Sequence, residues 1–323
     1  MKPFNVFPYD SNIDFMRLRM VSLAVAALIM FVAIGAMFAK GVNFALDFTG
    51  GVGVELAYEK PVDVDGVRDQ LEKAGIHGAQ VQTFGTGKEL LIRLRDETPK
   101  AAAGNADAAT ESVAEKVRAA ASLPGNVAKK LNSAEISPQV GRELAENGLY
   151  ALLFVVLGFL VYITLRFEWK FAVAAILTTL HDVVVVTGWF AITGHEFDLT
   201  VLAGILSVMG YSINDTIVVF DRVRENFRGM RAEPNEVLNR SVNQTLSRTV
   251  ITSFVAFLTV LALYLYGGGS LRGMAESQML GIVIGTLSSI FVACPLLTMG
   301  LLKVSKQDLM PKARDDAALA RRP

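Results

Sequence analysis

Six long stretches that are almost free of charged side chains constrain this sequence more than any other feature. They cover residues 20–39, 149–165, 171–192, 199–220, about 250–266 and 279–302. Each approaches the length of about 20 residues that an α-helix needs to cross about 30 Å of hydrocarbon. A soluble domain offers no ready explanation for six of them. We therefore predict an α-helical integral membrane protein with six transmembrane helices.

The first apolar stretch has an alternative interpretation as a secretory signal peptide. Residues 20–39 are longer than the apolar core of about 7–15 residues that is typical of such peptides. The sequence that follows, Phe38-Ala39-Lys40-Gly41, lacks a small-x-small cleavage site. We therefore interpret residues 20–39 as a span that stays in the protein.

Basic residues in the short connections predict how the chain is oriented. The loop 193–198 contains none, and the predicted loop 267–278 contains only Arg272. The opposite side carries Lys2, Arg17, Arg19, Arg166, Lys170, Arg222, Arg224, Arg228, Arg231, Arg240, Arg248, Lys303, Lys306, Lys312, Arg314, Arg321 and Arg322. This distribution places segment 1–19 and tail 304–323 in the cytoplasm. Residues 40–148 then lie on the outer, periplasmic side, before the spans within 149–303.

Composition excludes several classes of function. Lys and Arg total 31, and Asp and Glu also total 31, so the chain lacks the net positive charge of a nucleic-acid binder. The single cysteine, Cys294, excludes an internal disulfide framework and a multi-cysteine metal site. The three histidines do not follow a metalloprotease spacing, and we expect His77 and His195 to be solvated loop residues. We predict neither a cofactor nor a metal site.

Residues 40–148 have ordinary charge and alternating patterns, which indicate a folded domain outside the membrane. Asp63 is a predicted N-cap, and Gly85-Thr86-Gly87 is a predicted hairpin turn. The predicted elements are a strand at 52–58, a helix at 63–74, strands at 79–84 and 89–95, a helix at 106–121 and a strand at 132–136. This βαββαβ order indicates a ferredoxin-like α+β domain. It has no phosphate loop, catalytic triad or metal cluster, so we expect it to bind a partner or substrate rather than to catalyse a reaction.

The order of these parts is itself informative. One span is followed by a domain of about 110 residues and then by five more spans. A large insertion after the first of six spans is the layout of half of a resistance-nodulation-division (RND) type transporter. The sequence Gly281-Ile-Val-Ile-Gly285 predicts a close helix approach, and Cys294-Pro295 predicts a kink in the last span.

Ionisable residues inside a membrane are costly and indicate function by default. In the fourth span, Ser207, Tyr211, Asn214 and Asp215 share one helix face by their spacing. In the fifth span, a second stripe consists of Ser241, Thr245, Arg248, Thr249 and Thr252. The two helices run antiparallel and the stripes reach the same depth, so we predict an Asp215–Arg248 pair across their interface.

Two interpretations of that pair remain open. Desolvation disfavours a charged carboxylate and a nearby guanidinium favours it, so separating the pair would load and unload a proton. Alternatively, the pair is a static ion pair that fixes helix register, or Arg248 only contacts lipid headgroups. The third span contains His181-Asp182, which is equally compatible with a proton relay and with a hydrogen-bonded interior pair.

Several runs of sequence resemble those of one family. They are Leu46-Asp47-Phe48-Thr49-Gly50-Gly51-Val52, Pro138-Gln139-Val140-Gly141-Arg142-Glu143-Leu144, the fourth-span run 210–226, Asn243-Gln244-Thr245-Leu246-Ser247-Arg248-Thr249 and Gly285-Thr286-Leu287-Ser288-Ser289-Ile290-Phe291. Together they are similar to the SecF branch of the SecD/SecF family of export proteins, which belongs to the RND superfamily. The resemblance covers roughly residues 13–305, and the fourth-span run is long and specific. Residues 274–279 are more polar than the family pattern leads us to expect, which leaves the start of the sixth helix open.

The resemblance implies a function in protein export. It implies a bacterial inner-membrane subunit that pairs with SecD and uses the proton motive force to assist the SecYEG translocon. The further partners implied are YajC, YidC, the preprotein and the lipid bilayer. The family's fourth-span Asp and fifth-span Arg map onto Asp215 and Arg248, and we add Asn214 and Asp182 as candidates for proton transport.

Three functions are therefore to be compared. The leading one is a proton-driven accessory subunit of export, in which Asp215 protonation is coupled to movement of the periplasmic domain on the preprotein. The second is a small-molecule/proton antiporter, which is disfavoured because one six-span half and one small domain offer little room for a drug pocket. The third is a purely structural subunit that stabilises SecD and the channel. We find no support for an enzyme.

Overall fold

The computed structural model describes residues 11–77, 79–84, 88–94, 106–123, 125–136, 138–230 and 232–305. In this part of the chain, six helices are long and apolar enough to cross a membrane, as predicted. The long helices are α1 (Arg19–Lys40), α5 (Pro138–Arg166), α6 (Trp169–Thr193), α7 (Leu199–Gly229), α8 (Pro234–Tyr266) and α9 (Gly269–Ser288). After α9 the chain continues through a π-helical turn, Ser289–Ala293, into the short α10, Cys294–Leu296.

The domain between α1 and α5 is a four-stranded antiparallel sheet with helices. It contains α2 (Leu46–Thr49), β1 (Gly51–Ala57), α3 (Val64–Lys73), β2 (Gln80–Phe84), β3 (Glu89–Leu94), α4 (Ala106–Ala121) and β4 (Lys129–Ile136). The sheet order is β2-β3-β1-β4, so two βαβ halves interleave as the ferredoxin-like prediction requires. Strand β4 begins three residues before the predicted start. The predicted turn 85–87 lies outside the described residues.

The core of this domain follows from the alternation of its strands and the apolar faces of its helices. Val54 of β1 and Ile92 of β3 are register partners and are fully buried, as are Val67 and Leu71 of α3. Asp63 is the N-cap of α3, because its carboxylate accepts hydrogen bonds from the backbone nitrogens of Asp65 and Gly66, both at 3.3 Å. We call this unit the α+β domain.

The sixth span differs most from the sequence-based prediction. The prediction of a loop at residues 267–278 is wrong, because α9 already begins at Gly269 and contains both Arg272 and Glu276. Glu276 is tolerated there because Trp189 Nε1 donates to it at 2.9 Å and His195 Nδ1 lies 2.9 Å from the same oxygen. His195 is therefore exposed but hydrogen-bonded, rather than simply solvated. The α-helix also ends at Leu296, before the predicted end at residue 302.

The other spans extend beyond the predicted apolar stretches. Helix α8 begins at Pro234 rather than near residue 250, and α7 continues to Gly229 rather than ending at residue 220. Hydropathy marks only the hydrocarbon segment, whereas the helix continues wherever polar side chains favour it. The predicted irregularity near Cys294-Pro295 coincides with the π-helical turn just before it. Proline has no N–H to donate, which makes such a local change of helix geometry compatible with the site.

Helices α6, α7 and α9 form the inner part of the bundle, whereas α1, α5 and α8 expose most of their apolar surface. Glycines allow the inner helices to approach closely. A Cβ atom on Gly285 would lie 3.1 Å from the Cβ of Ser212, and one on Gly281 would overlap the side chain of Val208. The predicted small-xxx-small pattern in α9 is thus confirmed as the contact with α7.

Candidate functional site

Asp215 lies inside the bundle on the face of α7 that meets α8 and α9. Only 3% of the residue is exposed. Its carboxylate oxygen Oδ2 lies 3.5 Å from the hydroxyl of Ser253 on α8. That hydroxyl in turn accepts hydrogen bonds from the hydroxyl of Tyr211, at 3.0 Å, and from that of Thr286 on α9, at 2.7 Å. Hydroxyl groups from all three helices therefore converge beside Asp215.

The hydroxyl of Ser253 has a single hydrogen and two acceptors within reach. It lies 2.7 Å from the carbonyl oxygen of Thr249 and 3.5 Å from the carboxylate of Asp215. The hydrogen bond to the backbone is much the shorter of the two, so it takes the hydrogen most of the time. The distance to Asp215 is at the upper limit for a hydrogen bond. A buried charge normally requires a counter-ion or several donors. Asp215 instead has one distant hydroxyl donor among the described residues.

The predicted Asp215–Arg248 pair is not a direct ion pair in this structure. Among the described residues, no ion pair joins the two side chains, and Arg248 is exposed on α8. The reason is the helical period. The inward line of α8 runs at a spacing of four through Ser241, Thr245, Thr249 and Ser253, and Arg248 lies about 100° away from Thr249. The same rotation leaves Thr252 exposed, so the predicted stripe was too wide.

The stripe predicted on α7 is also only partly inward. Asp215 is buried and Tyr211 is half-buried, but Ser207 and Asn214 are exposed. Among the inward polar residues that sequence reasoning missed are Ser212 on α7, Ser253 on α8, and Thr286 and Ser288 on α9. For Ser253 a signal existed, because it continues the spacing of four from Ser241.

Asp182 forms a second buried polar cluster, which joins α6, α7 and α9. The residue is fully buried. Its Oδ2 atom accepts hydrogen bonds from the hydroxyls of Ser212, at 2.6 Å, and Ser288, at 2.7 Å. Its Oδ1 atom lies 3.0 Å from His181 Nδ1. The hydrogen-bonded pair that was one of the two interpretations is present, and the relay role stays a prediction.

The two clusters share helices α7 and α9. Ser212, which contacts Asp182, and Asp215 are three residues apart on α7, about one helical turn. Ser288 and Thr286 are similarly close on α9. Ser288 donates to Asp182, and Thr286 donates to Ser253. Any axial shift or rotation of α7 against α9 would therefore alter both sets of hydrogen bonds. In the described part of the chain, no group of three or more His, Cys, Asp or Glu side chains could hold a metal ion.

Aromatic rings and ion pairs close the bundle at the end opposite the domain. The rings of Phe171 and Phe220 meet edge-on with centroids 5.1 Å apart. Arg166 at the end of α5 pairs with Asp221 of α7 at 2.7 Å, and both side chains are exposed to about the same degree. Asp221 is thus an exposed, paired carboxylate on the same helix as the buried Asp215.

Comparison with known proteins identifies relatives of the whole chain. The family described as "Protein export membrane protein SecD/SecF, C-terminal" matches residues 116–303, and the SecD/SecF GG motif matches residues 35–62. A protein translocase subunit SecF of Pseudomonas aeruginosa is 43% identical over 94% of this chain and 96% of its own. One from Escherichia coli O157:H7 is 39% identical over 88% of this chain and 86% of its own.

Solved structures agree with this relationship. The crystal structure of SecDF, a translocon-associated membrane protein from Thermus thermophilus, superposes with a TM-score of 0.80 at 38% identity. The match covers 91% of this chain and 39% of that one, so this chain spans well under half of the solved protein. A super-membrane-facing form of SecDF gives a TM-score of 0.65. The chain therefore belongs to the SecF branch of the SecD/SecF family of protein-export membrane proteins.

Proposed function

We propose that this chain is a SecF subunit that pairs with SecD and uses the proton motive force to assist protein translocation through SecYEG. The relatives are named protein translocase subunits, and the solved neighbour is a translocon-associated SecDF. The proposed site is the bacterial inner membrane, with cytoplasmic termini and a periplasmic α+β domain that engages preprotein. YajC and YidC are proposed as further partners. The single observation that supports proton coupling is the buried Asp215 beside converging hydroxyl groups.

The geometry suggests how a proton reaches and leaves Asp215. A hydroxyl both donates and accepts hydrogen bonds, so Tyr211, Ser253 and Thr286 can pass a proton between neighbours by exchanging partners. When Ser253 turns its hydrogen from the Thr249 carbonyl to Asp215, it stabilises the charged carboxylate. When it turns back, it leaves that carboxylate without its donor. Proton uptake by Asp215 is thereby linked to the hydrogen bonding between α7 and α8.

In this proposal Arg248 acts from the exposed face of α8. It lies one position before Thr249 and five before Ser253 on the same helix, and the hydroxyl of Thr252 donates to its carbonyl oxygen at 2.9 Å. We propose that SecD covers this face and that Arg248 then serves as the positive charge that balances the ionised state. Asn214, exposed on α7, is proposed to line the same route, and Asp182 to support it through α7 and α9.

Asp215→Asn is expected to abolish the part of export that depends on the proton gradient. The amide keeps the shape of the side chain but neither gains nor loses a proton at neutral pH, so it cannot carry one. The measurement is export rate against imposed proton gradient in vesicles containing the assembled complex, with the amount of complex determined in parallel. Asp221→Asn is the matched control, because it removes an exposed carboxylate from the same helix and should leave the gradient dependence unchanged.

Two outcomes would contradict the proposal. Unchanged gradient dependence of the Asp215→Asn complex would exclude proton transfer at this residue. If alanine at both Asp215 and Arg248 also left export and assembly intact, the purely structural subunit would be the better description.

A further inference from the structure

One contact between the α+β domain and the bundle involves none of the residues of the proposed proton route. This is the turn between α6 and α7, residues 194–198, together with residues 43–51, which follow α1. We call these two segments the outer joint. Because α7 carries Asp215, the outer joint lies between the proposed proton site and the proposed substrate-binding domain.

Backbone hydrogen bonds hold the two segments of the outer joint together. Ala45 N donates to the carbonyl oxygen of Phe197 at 3.0 Å, and Phe197 N donates to that of Asn43 at 2.8 Å. The two segments therefore pair like strands of a short parallel sheet. The Asn43 side chain adds a bond to the carbonyl oxygen of Gly194 at 3.0 Å. The ring of Phe197 packs edge-on against that of Phe44, with centroids 5.8 Å apart.

The start of α7 is capped by carboxylates from both segments. Asp198, its own N-cap, accepts a hydrogen bond from Val201 N at 2.7 Å. Asp47, which belongs to α2, accepts one from Leu199 N at 3.1 Å. The first backbone N–H groups of a helix have no partner within the helix and favour negative charge. Asp47 therefore binds the first helix of the α+β domain directly to the start of α7.

The sheet of the α+β domain is tied to the same turn. Arg93 of β3 forms an ion pair with Glu196, and their side chains are only 16% and 7% exposed. Gln80 of β2 donates from Nε2 to Asn43 Oδ1 at 3.1 Å. Because ions removed from water depend strongly on each other, the Arg93–Glu196 pair links β3 of the sheet to the turn.

Two glycines make the outer joint continuous with the sheet. Gly50 and Gly51 have φ values of 72° and 133°, which disfavour any residue with a Cβ atom. A Cβ on Gly51 would also overlap the carbonyl oxygen of Leu94 at the end of β3. On the other side, a Cβ on Gly141 of α5 would lie 3.0 Å from the backbone nitrogen of Gly50. The chain thus passes from the Asp47 cap into β1 without a flexible spacer.

We infer that the outer joint transmits movement between α7 and the α+β domain, with Asp47, Arg93 and Glu196 as positioning residues. This inference rests on the proposed function, and it identifies the part of the chain that couples proton transfer to movement of the α+β domain. Asp215 lies 16 residues after Leu199 in an uninterrupted helix, about 24 Å along its axis. A shift of α7 that accompanies proton transfer at Asp215 therefore reaches the turn, and the Arg93–Glu196 pair and the Asp47 cap pass it to the sheet.

Charge reversal tests the outer joint. Arg93→Glu and Glu196→Arg are each expected to reduce gradient-driven export by at least about fivefold, the lower end of typical coupling effects. Three quantities should stay as in the wild type. They are export in the absence of a gradient, the amount of assembled complex and the proton conductance that depends on Asp215. The double variant Arg93→Glu/Glu196→Arg restores the opposite charges and should recover gradient-driven export.

The controls separate the outer joint from the general stability of the domain. Lys130 and Glu111 form an ion pair between β4 and α4, within the α+β domain, so Lys130→Glu should leave gradient-driven export unchanged. If the single reversals of Arg93 and Glu196 do not assemble, Asp47→Asn provides the test. It keeps an acceptor for Leu199 N but removes the charge, and it should lower gradient-driven export with wild-type assembly.

Each remaining outcome overturns one proposal. Single reversals that export like the wild type, or an assembled double variant that does not recover, would overturn the outer joint while leaving Asp215 untouched. Joint variants that fail to export while Asp215→Asn keeps full gradient dependence would contradict the proposed function, and with it the transmission from Asp215.

Discussion

Replacing Ser212 and Ser288 together by alanine is expected to destabilise the helix bundle by about 2–6 kcal/mol, because leaving a buried polar group without its partner costs about 1–3 kcal/mol for each lost hydrogen bond. Both hydroxyls donate to the same oxygen of Asp182, at 2.6 and 2.7 Å. Without them, the buried carboxyl group of Asp182 retains, among the described residues, only the contact with His181. The measurement is the free energy of unfolding in detergent micelles, together with the amount of folded protein in the membrane.

A double-mutant cycle identifies the carboxylate as the cause. In an Asp182→Ala background the same two serine substitutions should cost much less, because no buried carboxyl group then depends on them. Thr178→Val with Thr179→Val is the matched control, since these hydroxyls donate to carbonyl oxygens of their own helix at 2.8 and 3.0 Å. If the serine pair costs no more than this threonine pair, the two serine hydroxyls do not stabilise the buried carboxyl group of Asp182.

Gly188→Leu is expected to separate α1 from α6 and to destabilise the bundle by about 3 kcal/mol or more, at the upper end of overpacking effects. A Cβ on Gly188 would lie 2.7 Å from the Cα of Ala33 and would also overlap its Cβ. Backbone cannot move aside as a side chain can, so the helices must separate. Thermal unfolding and protease sensitivity of α1 measure the effect.

Two variants bracket that result. Gly35→Leu, on α1, is the control, because a Cβ at Gly35 meets no heavy atom within 4 Å. Gly188→Ala should be milder than Gly188→Leu and should recover partly with Ala33→Gly, which removes the nearest side-chain atom but leaves the Cα. Gly188→Leu with wild-type unfolding would show that α1 is not seated against α6 as described.

The spans and the order of the α+β domain could be predicted because each depends on one element at a time. Hydropathy located the six spans, and Asp63 was recognisable as an N-cap from its position before an apolar helix face. The start of α9 was not predictable in this way. Glu276 is accommodated only because Trp189 and His195, from another helix and loop, reach it.

The site was less predictable because it depends on how helices are rotated against each other. Asp215 could be identified from the sequence because an ionisable side chain within a membrane span carries a large free-energy cost. Whether Arg248 or Ser253 faces it depends on an orientation about the axis of α8, and one position changes that orientation by about 100°. Ser212 and Ser288 resemble the many membrane-helix hydroxyls that bond to their own backbone. Only the crossing of α7 with α9 and α6 brings them to Asp182.

Helix α5 gives the domain a mechanical property of its own. It runs without interruption for 29 residues, about 43 Å, so about 13 Å projects beyond a hydrocarbon layer of about 30 Å. The outer joint touches this projection at Gly141. A sideways displacement of about 10 Å at its tip corresponds to a tilt of about 13°, well within the range of membrane helices. Since most of the α5 span is exposed within this chain, a lateral force on the domain would tilt α5 against few side chains of the same chain.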